Sequence, residues 1–210
     1  MKKTTVIFDL DGTLLNTLQD LADAVNYALR KEGMPERTID EVRRFVGNGV
    51  RLLMIRAVPD GESNPLFEET FAQFKEYYEE HCNDNTKPYE GMIELLETLK
   101  SKGYSVAIVS NKIDSAVKEL SALYFKGIVP VAIGETEGVR RKPAPDTVRE
   151  ALKELGRTAE ESVYVGDSDV DIETAKNAGM PCVSVLWGFR DREFLEEHGA
   201  KRYARTAEDV

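Results

Sequence analysis

Short, almost wholly apolar runs recur along this chain, each followed by an amphipathic segment. "VIF" at 6–8, "YSVAIVS" at 104–110, "VPVAIG" at 129–134, "SVYVGDS" at 162–168 and "CVSVLWG" at 182–188 are too short for helices of their own. A strand that alternates apolar and polar residues has one wet face, whereas a strand apolar throughout is covered on both. Between these runs lie "GMIELLETLKSKG", "DSAVKELSAL", "PDTVREALKELG" and "DIETAKNAG", and "REFLEEHG" follows the last run. In the third of these, Val148, Ala151, Leu152 and Leu155 share one helical face, and Gly156 follows as a stop. Strand and helix in alternation predict an α/β fold, a Rossmann-like parallel sheet with helices on both faces.

One stretch breaks the alternation. From about 15 to 85 the apolar residues follow helical spacing throughout, beginning with Leu18, Leu21, Ala22, Val25, Ala28 and Leu29. Thr38 and Glu41 form a capping-box pair, and "GNG" at 47–49 interrupts before "VRLLMIRAV" resumes. Asn64 and Pro65 fit N-cap and N1 of a helix carrying Phe67, Phe71, Phe74 and Tyr78. The expected organisation is a core of residues 1–14 and 86–210, with a helical cap of residues 15–85 inserted after the first strand.

The first strand ends in "DLDGT", two aspartates one residue apart with no arginine or lysine beside them. Ionised carboxylates next to a core are costly unless paired. In an open parallel sheet, ligands bind at the carboxyl ends of strands, and three polar clusters fall at such ends. They are Asp9 with Asp11, Ser110 with Asn111, and Asp167 with Asp171; Lys142 stands in the loop before another helix. Taken singly each has an ordinary reading as a turn former, helix cap or solvated loop charge. Asp167 and Asp171 are four apart, a spacing at which like charges destabilise a helix. Together, these residues fit phosphoryl transfer through an enzyme carboxylate. Asp9 would attack phosphorus. Asp11 would give and take the proton. Ser110, Asn111 and Lys142 would meet phosphate oxygens. Asp9 and Asp167 would hold Mg²⁺, with Asp171 orienting a water ligand.

Charge bounds the partners. The chain's net charge is −10, which argues against general nucleic-acid or anionic-membrane binding. No apolar run approaches the roughly 20 residues of a membrane span. The opening apolar run is broken by Asp9, so the N-terminus reads as cytoplasmic rather than as a signal peptide. Cys82 and Cys182, far apart in sequence, suit a reducing compartment. His81 and His198 suggest neither a zinc site nor a histidine-based triad. The expected partner is a small phosphate ester, and the chain a monomer or homodimer.

"DLDGT", "SNK", "RKP" and "GDSDVD", in this order, resemble the four motifs of the haloacid dehalogenase superfamily of phosphatases. The resemblance implies Asp9 as nucleophile, Asp11 as general acid/base, Ser110 and Lys142 as phosphate contacts, and Asp167 and Asp171 in the metal group. It adds the Asp11 carbonyl oxygen as a further Mg²⁺ ligand and makes the insertion a lid. "DLADAVNYAL", "RRFVGNGVRLL", "PYEGM", "VSNK" and "RKPAPD" resemble the phosphoglycolate phosphatase branch, from which Asn16 and Glu90 depart. In the insertion, amides around Gly47, Asn48 and Gly49, with Arg51 nearby, are expected to meet a small carboxylate; the alternative is a plain helix–helix turn. Other activities compatible with the same core are a pyrophosphatase and a sugar-phosphate phosphatase or mutase. A phospho-aspartate signalling module shares the residue types, though it needs neither the insertion nor a second-step acid/base.

Overall fold

The computed structural model describes residues 3–47 and 49–210. The chain runs β1 (Thr5–Phe8), β2 (Leu15–Asn16), α1 (Leu18–Lys31), α2 (Ile39–Phe45), α3 (Val50–Ala57), α4 (Phe67–His81) and β3 (Lys87–Pro88). It continues through α5 (Met92–Ser101), β4 (Ser105–Ile113), α6 (Asp114–Tyr124), β5 (Val131–Glu135), α7 (Asp146–Leu155) and β6 (Ser162–Gly166). Then follow α8 (Asp169–Ala178), β7 (Cys182–Val185), α9 (Arg192–Glu197) and β8 (Tyr203–Ala204). Two compact units result: one runs to Leu15 and resumes at Pro88, the other is Asn16–Lys87.

The larger unit is the sheet expected from the apolar runs, in the order β5-β4-β1-β6-β7-β8. Its neighbouring strands pair in parallel. Val6 and Phe8 enter one hydrophobic cluster with Leu96, Ile108 and Leu120, while Ile7 enters another with Ala107, Val148 and Tyr164. Both faces of β1 are thus buried, which is why its sequence does not alternate. From β1 the chain builds outward through β4 and β5, then returns to β1's other side for β6, β7 and β8. Such a reversal leaves a crevice at the strands' carboxyl ends. Register fixes what lines it. Phe8 pairs with Ile108 and with Val165, so Asp9, Ser110 and Asp167 follow within two residues of a shared level.

The smaller unit is helical with its own core, including Val25, Leu29, Val42, Leu53, Met54, Phe67 and Phe74. Phe71 and Tyr78 pack against that core, so the aromatic spacing along α4 serves packing. The Thr38–Glu41 capping box is formed. Among the described residues no helix is long and apolar enough to cross a membrane.

Several local expectations need correction. Helix α4 starts at Phe67 with Leu66 as its N-cap, because Asn64 first makes a turn, accepting from the Leu66 N–H at 2.9 Å. Strand β4 runs three residues beyond Ser110, with a register irregularity between Val109 and Ile113, so Asn111 lies in the strand rather than capping a helix. Helix α8 begins at Asp169, so Asp167 precedes it and the helical like-charge argument does not apply. Strand β8 left no sequence signal because it is two residues long and offers no apolar run.

Candidate active site

Asp9, Asp167 and Asp171 are buried, and one carboxylate oxygen from each lies within 4.8 Å of the others. Gly12 lets this happen. Its φ of +85° turns the chain just after β1, and a side chain there would collide with the Asp167 carboxylate. Gly188, after β7, likewise leaves room for Asp167. The next residue, Phe189, donates its N–H to Asp167 Oδ2 at 2.7 Å, and the Thr13 hydroxyl approaches Oδ1 at 3.3 Å.

Lys142 is 3% exposed, and its Nζ lies 2.7 Å from Asp9 Oδ1 and 2.8 Å from Asp171 Oδ1. Asn111 fixes the backbone that carries it: the Lys142 N–H donates to Asn111 Oδ1 at 2.8 Å, and Asn111 Nδ2 donates to the Lys142 carbonyl at 3.0 Å. Asn111 therefore places the lysine with both ends of its amide. Asp171 is the N3 residue of α8 and accepts from Ser168 N–H at 3.1 Å and Ser168 Oγ at 2.6 Å. Helix start and site share one carboxylate.

Asp11 faces another way. Its carboxylate accepts from Ser110 Oγ at 3.3 Å and lies 3.4 Å from Lys112 Nζ. Its side chain is 20% exposed.

Electrostatics follow from this crowding. Burial, with Asp171 repelling and Lys142 opposing, raises the Asp9 carboxyl well above the usual carboxylate range. Burial and then Asp171 push Asp167 up to about 7, against the Phe189 N–H. Burial alone would lower the Lys142 ammonium, but Asp171 and Asp9 together outweigh it and hold the group well above its ordinary value. Three carboxylates around one lysine leave a deficit of positive charge. Hard oxygen donors with that deficit fit Mg²⁺. Asp9 and Asp167 would hold the ion, with Asp171 beside them.

The family model of haloacid dehalogenase-like hydrolases matches residues 6–185. The chain belongs to that family. A phosphoglycolate phosphatase of Aquifex aeolicus (strain VF5) is 37% identical over 186 residues, 88% of this chain and 85% of the relative. One from Mesorhizobium japonicum is 33% identical over 202 residues, 93% of this chain and 88% of the relative. Among solved structures, a candidate phosphoglycolate phosphatase from Lactobacillus delbrueckii subsp. bulgaricus superposes with a TM-score of 0.94 at 38% identity. That match covers 99% of this chain and 96% of the other.

Within this haloacid dehalogenase-like core, the sheet brings Asp9, Asp11, Ser110, Asn111, Lys142, Asp167 and Asp171 to one rim. Gly47, Gly49 and Arg51 belong to the helical unit, and Asn48 lies outside the described residues. Arg51 meets carboxylates of its own unit. Its guanidinium pairs with Glu62 and Glu68 and stacks over Phe67 and Phe71. Sequence reasoning missed Lys112, although "SNK" contains it, and missed Tyr164, whose ring reads as one more apolar strand residue.

Proposed function

We propose that this haloacid dehalogenase-like hydrolase is a Mg²⁺-dependent phosphomonoester phosphatase working through an aspartyl-phosphate on Asp9, with 2-phosphoglycolate as substrate. The observation that carries the chemistry is the buried Asp9–Asp167–Asp171 cluster held against Lys142. The names of the two relatives support the substrate.

Asp9 attacks phosphorus while Lys142 holds its carboxylate in place. Asp11 protonates the leaving oxygen and then accepts a proton from the water that attacks the phosphorylated Asp9. Bound Mg²⁺ would supply positive charge shared between the carboxylates and the phosphate. Arg51, already between two carboxylates, lends no support to carboxylate recognition at that position.

The test is a trap. Enzyme quenched during turnover is reduced with borohydride, which converts an acyl phosphate to an alcohol, and mass spectrometry should find the reduced residue at Asp9. Asp9→Asn should lower turnover by about three orders of magnitude or more with the fold intact. Rapid turnover with no modified Asp9 would favour direct attack by water. A parallel screen of 2-phosphoglycolate, sugar phosphates, nucleotides and pyrophosphate, each with Mg²⁺, decides the substrate. Higher kcat/KM for any of the others would displace 2-phosphoglycolate.

A further inference from the structure

The Lys142 ammonium has three N–H groups. Three acceptors meet it: Asp9 at 2.7 Å, Asp171 Oδ1 at 2.8 Å and the Tyr164 hydroxyl at 3.1 Å. The first two belong to the aspartyl cluster. Tyr164 does not, and it is wholly buried in the middle of β6, with Ile7 as its register partner on β1. A phenylalanine would fill the same volume there without placing a hydroxyl in an apolar layer, where an unbonded one is costly. The Tyr164 hydroxyl is bonded twice: it accepts from Lys142 and donates to Asp171 Oδ1 at 3.2 Å. Lys142, Tyr164 and Asp171 thus close a triangle, and Asp9 is the acceptor outside it.

A triangle of hydrogen bonds restrains an ammonium more than either bond alone. With two N–H groups held by Tyr164 and Asp171, rotation of the ammonium about its Cε–Nζ bond is restrained, which keeps the third N–H on the Asp9 side. We propose that Tyr164 is a positioning residue, whose hydroxyl anchors Lys142 so that its remaining N–H is aimed at the Asp9 carboxylate. This rests on the reading of Asp9 as nucleophile.

Tyr164→Phe removes one oxygen and keeps the ring. With 2-phosphoglycolate and Mg²⁺, kcat should fall about tenfold while KM stays within about twofold, the pattern of a contact that matters in the transition state. The thermal midpoint should stay near that of the unmodified protein. In a Lys142→Ala background the same substitution should change kcat/KM little further, because the group it acts through is gone. Unchanged kcat, a loss confined to KM, or an equal loss in both backgrounds would overturn the proposal. Asp9→Asn measured alongside separates the two readings: turnover retained there would sink the nucleophile, whatever Tyr164→Phe does.

Discussion

Asp167 shows at the scale of one residue what the site requires. Burial and the neighbouring Asp171 push its carboxyl up to about 7, from an ordinary value of 3.8. In metal-free protein the folded state therefore holds this proton more tightly than the unfolded chain does. Its contribution to stability is complete below about pH 4 and is lost as pH rises through about 7. An asparagine has nothing to titrate. In chelator, urea unfolding of Asp167→Asn and of the unmodified protein should show the unmodified protein losing ground to the variant between pH 4 and pH 8. A stability difference that stays constant over that range would mean the cluster is not under this strain.

At the scale of elements, α1 shows how a buried charge can belong to architecture alone. Asp20, in its first turn, is 2% exposed. Its Oδ1 accepts from the Asn85 N–H at 2.8 Å and Asn85 Nδ2 at 3.0 Å; its Oδ2 accepts from the Thr86 N–H at 2.9 Å and Thr86 Oγ1 at 2.7 Å. The carboxylate thus ties α1 to the segment just before β3, within the helical unit. Asp20→Ala should strand the buried Thr86 donors and cost about 2 kcal/mol in urea unfolding, within the range for unmet buried hydrogen-bonding groups. Asp20→Asn should recover part of the loss. If Asp20→Ala unfolds at the same urea concentration as the unmodified protein, the tie contributes nothing. In sequence, Asp20 looks like any acidic residue in a helix's first turn.

At the scale of the whole molecule, parallel register gathers an excess of negative charge at one rim, and on the proposed function that excess should tie folding to Mg²⁺. Mg²⁺ that binds the folded form and not the unfolded one should stabilise it by about 2.7 kcal/mol at a hundredfold excess over its dissociation constant. Thermal unfolding with and without chelator checks this, and Asp167→Asn should show a much smaller shift. An equal shift in both proteins would place the metal elsewhere. Folding and occupancy of the proposed site would then be linked equilibria, a property of how distant loops meet rather than of any loop alone.

The sequence by itself determined the sheet and its helices, because wholly apolar strand-length runs alternating with amphipathic helices are buried most readily as a parallel sheet covered on both faces. It determined the helical insertion too, through helical spacing that recurs across the stretch and the Thr38–Glu41 box. Asp9, Asp11 and Asp167 were legible as candidates because they come just after apolar strands, and Ser110, Lys142 and Asp171 because they stand near the carboxyl ends of strands or at the start of the segments that follow, which parallel strands gather at one rim. Only the tertiary structure decided what each side chain does there. Asn111 became a brace for Lys142 when β4 ran on past Ser110; Tyr164 became a polar partner because Lys142 is packed over its ring; Arg51 was paired with Glu62 and Glu68 of its own unit. Periodicity records which face a residue lies on. Hydrogen-bond partners depend on distances between residues far apart in the chain, and those exist only once it has folded.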